Sequence, residues 1–157
     1  MADLLECVLQ IKGLRETVDR LSGLASSVHP DRWNEPAGPG TPNAGELLAR
    51  LADLEILFGA WLRLIVGAEQ PLLPPIEEQT AAALARFRSW SPAEALDRFL
   101  RRRLDNLDFL DRCSAEDLAR AGTHAARRRL TVADVVATML ASDSERVAEI
   151  RRALGVR

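Results

Sequence analysis

The stretch TVADVVATMLASDSERVAEI, Thr131 to Ile150, decides how the chain is read. Thr131 offers a side-chain oxygen to the exposed amides of a helix start, and Asp134, three residues on, favours the positive end of that helix. The spacing predicts a helix over 131–154. The same signature recurs upstream, in Asn43 before Glu46, Ser91 before Glu94 and Ser114 before Asp117. Pro92 fits a first helical turn, where a missing N–H costs nothing. These pairs mark where helices begin and carry no catalytic meaning.

Working outward, helix is the only periodicity present. Leu5, Val8, Leu9, Lys12, Leu14, Val18, Leu21 and Leu24 recur at threes and fours and predict one stripe on a first helix. Helices are expected over residues 2–26, 44–67, 77–89, 92–112 and 131–154, with a short helical turn near 115–120. The polar, Pro- and Gly-rich run from His29 to Asn43 is a connecting loop in which Trp33 has something to bury. Gly67 to Ile76 is a second linker, because its three prolines forbid regular helix. No strand pattern or internal repeat is visible, so the expected architecture is all-α, one domain over residues 1–157.

The composition supports one domain and narrows the function. The chain has 157 residues, 47% of them hydrophobic, which is enough for a real core. A formal net charge of −2 gives no electrostatic case for nucleic acid, which wants a basic face. The run Arg101-Arg102-Arg103 sits among Asp97, Asp105 and Asp108 at helical spacing and reads as a solvated, paired face. Arg127-Arg128-Arg129 precedes the last helix and reads as a small basic patch. Cys7 and Cys113 lack ligand spacing and read as reduced, small hydrophobes. No stretch reaches the ~20 apolar residues of a membrane span. Asp3 and Glu6 stand where a signal peptide needs positive charge, so a cytoplasmic protein that does not engage membranes is expected.

The order of these parts resembles the DinB/YfiT-like superfamily of four-helix bundles, to which bacillithiol transferases and mycothiol-dependent maleylpyruvate isomerases are related. Four pieces carry the likeness: a long first helix running into a Trp-containing loop; the capped segment GELLARLADLE, Gly45 to Glu55; a long helix ahead of the Gly-Thr-His stretch at 122–124; and the Thr131–Ile150 helix. The resemblance implies a DinB-like four-helix bundle with an additional short helix in the crossover connection. It also implies a divalent metal, such as nickel or zinc, held by one histidine on the second helix and an H-x-x-x-H pair on the last. Those three places hold Arg50, Ser142 and Arg146. Of the acids beside them, Glu55 and Asp143 are kept.

Arginine has no lone pair to give and its guanidinium repels a cation, and a serine hydroxyl alone is a weak ligand. No cofactor is therefore expected, no catalytic residue is assigned, and metal-dependent catalysis is disfavoured. If the fold holds, Arg50 and Arg146 converge on one pocket, with Asp53, Glu55, Asp143, Glu145 and Glu149 within a turn of one or the other. Two readings stand. The guanidinium groups hold a carboxylate or phosphate ligand, or each pairs with a neighbouring acid and plugs the cavity. Pairing is preferred, with Asp143 spaced to serve Arg50 and Glu149 three residues from Arg146. Trp61, about three turns beyond Arg50, is placed deeper in the same interior. His124 is the better of two unremarkable histidines, His29 being a surface or capping residue. The candidate ligand-binding set is Arg50, Ser142, Arg146, Asp53, Glu55, Asp143, Trp61 and His124. The expectation is a non-enzymatic protein that binds a small anion or a partner, homodimeric through its apolar stripe. The alternatives are a thiol-dependent transferase or isomerase, and a structural relic or subunit.

Overall fold

The structure, a computed structural model, describes residues 4–75, 83, 85, 89–126 and 128–157. Four long helices form the bundle: α1 (Leu4–Ser27), α2 (Ala44–Gly67), α3 (Pro92–Arg112) and, after the short α4 (Ala115–Ala119), α5 (Val132–Leu154). The caps read from the sequence are where the helices begin. Asn43 Oδ1 accepts from the amide of Glu46, and Ser91, Ser114 and Thr131 each form a reciprocal capping box with the acid three residues later. Gly155 closes α5 in the left-handed region at φ 67°, a conformation that favours glycine. The expected helix at 77–89 lies almost wholly outside the described residues. No helix of the described residues is long and apolar enough to cross a membrane.

Two expectations are corrected. Strands do exist: β1 (Leu72–Leu73) runs parallel to β2 (Ala121–His124), which pairs antiparallel with β3 (Arg129–Thr131). Segments of two to four residues are too short to show an alternating pattern, and β1 falls in the proline-rich linker. The stripe on α1 is also out of phase in its first half. The buried positions are Cys7, Ile11, Leu14, Thr17, Leu21 and Leu24, whereas Leu5, Val8 and Leu9 are more than half exposed.

α2 is the hub, packed against α3 and α5, with α1 laid against α5 and α3. The apolar interior falls into two clusters. One gathers Ile11 and Leu14, Phe58 through Ile65, Leu107 and Leu110, and Val132 to Met139. The other gathers Leu21 and Leu24, Leu47 to Ala52, Ala95 and Phe99, Val147 to Leu154, and Trp33 from the loop, held in a 3-10 turn over Pro30–Asn34. On each long helix the boundary between clusters falls at a buried polar residue: Thr17 on α1, Glu55 on α2, Arg103 and Asn106 on α3, and Asp143 on α5. A polar layer thus crosses the middle of the bundle.

Candidate functional site

Arg103 organises that layer and is fully buried. Its place follows from helical phase: Ala95, Phe99, Arg103, Asn106, Leu107 and Leu110 are the inward residues of α3. Nη2 donates to Glu55 Oε1 at 2.6 Å and to Asp143 Oδ1 at 2.8 Å; Nη1 donates to Asp143 Oδ2 at 2.7 Å and to the Leu14 carbonyl at 3.1 Å. Thr17 Oγ1 donates to Asp143 Oδ2 at 2.7 Å, and Asn106 Nδ2 donates to Glu55 Oε2 and to the Glu55 carbonyl, both at 3.0 Å. Burial by itself lowers the guanidinium pKa, but hydrogen bonds and charge from Asp143 and Glu55 outweigh it and hold the pKa above its ordinary value. Gly59 lets Asn106 come this close, since a Cβ there would stand 2.5 Å from Asn106 Oδ1.

The solvated-face reading of the arginine run is therefore right only at its start. Arg101 pairs with Asp97 at 2.9 Å on the surface. Arg102 is half-buried, donating to the Ala52 carbonyl at 2.6 Å and lying 3.7 Å from Asp53. Arg103 is inside, the opposite of what was expected. The signal was present in its spacing from Phe99 and Leu107, but the three consecutive charges obscured it.

The eight residues proposed for a ligand set are distributed over several places. Glu55 and Asp143 meet at Arg103, so Asp143 does not serve Arg50 as its spacing suggested. Arg146 Nη1 donates to both oxygens of Glu149, at 3.0 and 3.2 Å. Ser142 is half-buried one residue before Asp143. Trp61 belongs to the cluster on the far side of the polar layer from Arg50. Its indole N–H donates to the Pro74 carbonyl at 2.9 Å, and its ring meets that of His124 edge-on, 5.3 Å between centroids. His124 Nδ1 accepts from the amide of Ala126 at 3.3 Å, and His29 caps the Pro30–Asn34 turn.

Arg50 stands apart. It is half-buried and lines a cavity of about 320 Å³ with Asn34, Asn43, Gly45, Glu46 and Trp90. Among the described residues it has no ion-pair partner, and neither Ser142 nor Arg146 is among the described walls of that cavity. A second groove, of about 230 Å³, lies over the polar layer between α2 and α3. Its arginines are engaged: Arg63 with the Gly59 carbonyl, Asn106 and Asp105, and Arg102 as above.

The metal that the bundle type implies does not fit these residues. Arg50, Ser142 and Arg146, where the resemblance expects the histidines, offer two guanidinium groups and a hydroxyl, and the carboxylates Glu55 and Asp143 already accept from Arg103. No group of three or more His, Cys, Asp or Glu suited to a metal ion occurs among the described residues. Cys7 and Cys113 are free thiols, and burial pushes both pKa values up, with Glu6 adding to Cys7 and then Asp117 and Cys7 adding to Cys113.

Comparison with known proteins bears on the scaffold. No curated protein matches. The fold is similar to that of the solved structure of YfiT from Bacillus subtilis, described as a probable metal-dependent hydrolase with an unusual four-helix bundle topology. The TM-score is 0.84 at 16% identity, over 100% of this chain and 92% of that one. The family model of the DinB superfamily matches residues 14–150. With the capped helices, the bundle and that match in agreement, the chain belongs to the DinB superfamily.

Proposed function

We propose that this chain is a binding or interaction protein on the DinB scaffold, independent of metal, which takes a small carboxylate or phosphate compound at the Arg50 cavity. One observation carries the reading. Arg63, Arg101, Arg102, Arg103 and Arg146 all lie against acids, while Arg50 faces a cavity without an ion pair among the described residues. A guanidinium presents a planar fork of donors suited to a carboxylate or phosphate. Asn34, Asn43, Glu46 and Trp90 line the same cavity, with the Asn43 side chain engaged in capping α2. Ligand stabilisation scales with saturation, about 2.7 kcal/mol at a hundred times Kd. A melting screen of small carboxylates and phosphates should therefore find a compound that raises Tm, and Arg50→Ala should abolish the shift while Arg146→Ala retains it. A screen with no Arg50-dependent shift counts against the reading.

Catalysis is the second reading, favoured by the likeness to YfiT and its described hydrolase character. It would need a ligand set other than Arg50, Ser142 and Arg146, or a metal-free mechanism in which Arg50 polarises a bound acid. Thiol-dependent transfer would show as turnover of a low-molecular-weight thiol with an electrophile. A homodimer is proposed through the outer face of α1, where Leu4, Leu5, Val8 and Leu9 are exposed together. Light scattering on Leu5→Glu/Leu9→Glu checks it, with a shift to monomer expected.

A further inference from the structure

Arg50 shares its cavity with an acid. Glu46 lies one turn before it on α2, and both line the space. An acid four residues ahead of an arginine has the spacing and order at which a helix best forms a surface ion pair. Glu16 with Arg20, Asp97 with Arg101 and Asp108 with Arg112 all do so. Glu46 and Arg50 do not pair, and neither has an ion-pair partner among the described residues. Nor does the Glu46 carboxylate fold back on the amide of its N-cap residue, as those of Glu94, Asp117 and Asp134 do. Two opposite charges, a turn apart, thus face one cavity separately. A ligand carrying only negative charge would gain from Arg50 and lose to Glu46 in the same space.

We propose that this cavity takes a zwitterion, with a carboxylate for Arg50 and an ammonium group for Glu46, which is the chemistry of a free amino acid. The inference rests on the Arg50 reading above and narrows it, since phosphates and simple carboxylates become the poorer ligands. The guanidinium fork donates to the ligand carboxylate, and the ligand ammonium donates to the Glu46 carboxylate. Ala49 and Trp90, also in the cavity wall, offer apolar surface to an amino-acid side chain. Asn43 adds nothing to recognition, because its side chain is engaged with the Glu46 amide and the Asn34 carbonyl.

The test is a melting screen of the full chain with the standard amino acids, β-alanine and γ-aminobutyrate, followed by calorimetric titration of the best binder. Its N-acetyl derivative keeps only the carboxylate, and its amide keeps only the ammonium group. At least one amino acid should raise Tm saturably, and each derivative should bind about tenfold more weakly. Glu46→Gln should weaken the amino acid to the same extent and leave the N-acetyl derivative no weaker, because the repelling charge is gone. Arg50→Ala should abolish binding of both. An N-acetyl derivative that binds as tightly as its parent amino acid, or a Glu46→Gln variant that loses nothing, would overturn the zwitterion and leave the Arg50 reading standing. A panel in which no amino acid shifts Tm would overturn it as well. If no carboxylate or phosphate of any kind gives an Arg50-dependent shift, both readings fall together.

Discussion

Arg103 and Arg50 are the same side chain in opposite settings. Arg103 sits where four helices meet, and both of its terminal nitrogens donate to carboxylate or carbonyl oxygens of the neighbouring helices. Arg50, on α2 about a turn and a half before Glu55, looks into a cavity and has no acid paired with it among the described residues. One cation is paired inside the bundle, and the other is the one proposed to meet an external anion. Charge alone does not separate them. What separates them is whether the neighbouring helices supply the counter-charge, and here α2 and α5 supply both of their buried acids to Arg103.

The largest way to break this contrast is to unbalance the layer. Arg103→Leu should cost about 3–5 kcal/mol, because it leaves Glu55 and Asp143 buried without a cation. Chemical denaturation measures that loss. The triple change to leucine at 55, 103 and 143 should recover most of it, since an apolar layer of similar volume is often no less stable than a buried ion cluster. If the single variant unfolds at the parent's midpoint, the layer is not holding the bundle. Gly59→Ala comes next, at about 1–3 kcal/mol, because the new methyl meets Asn106 and Arg63 and must push them aside. A calorimetric Tm equal to the parent's would mean that Asn106 is free to move. Thr131→Ala should cost about 1 kcal/mol through the lost α5 cap, a local loss that leaves the layer intact.

At the other end of the comparison, Arg50→Ala should change the stability of the ligand-free protein by no more than about 0.5 kcal/mol, as expected for a side chain outside any buried network. A larger drop would make Arg50 structural and remove the contrast. The pH dependence is the smallest effect and runs in a definite direction. A folded-state pKa held above its unfolded value contributes stability that is fully present below the unfolded pKa and lost only as pH rises through the folded one. Arg103 should therefore hold the layer at constant strength through the neutral and moderately alkaline range. A fall in Tm there that the parent shows and Arg103→Leu lacks would contradict this.

Much of the scaffold was legible in the residues. The caps at Asn43, Ser91, Ser114 and Thr131 place four helix starts, because a side-chain oxygen meeting an exposed amide is a local event. The three short strands were not legible, since segments of two to four residues show no alternation and the pairing of Leu72 with Thr123 joins distant chain segments. Glu55 and Asp143 were singled out as acids, and both are buried on facing helices. Their shared partner was not found, because Arg103 is flanked by two arginines that do face solvent or the rim. Burial of a charge is decided by which helix packs over it, and sequence spacing gives only the phase.

The most direct test of the central claim, that the inner cation of this bundle is its own arginine, is elemental analysis of tag-free protein combined with melting before and after chelation. No stoichiometric metal is expected, and Tm should be unchanged by chelator. One equivalent of nickel, zinc or iron, with a Tm that falls when it is stripped, would contradict it.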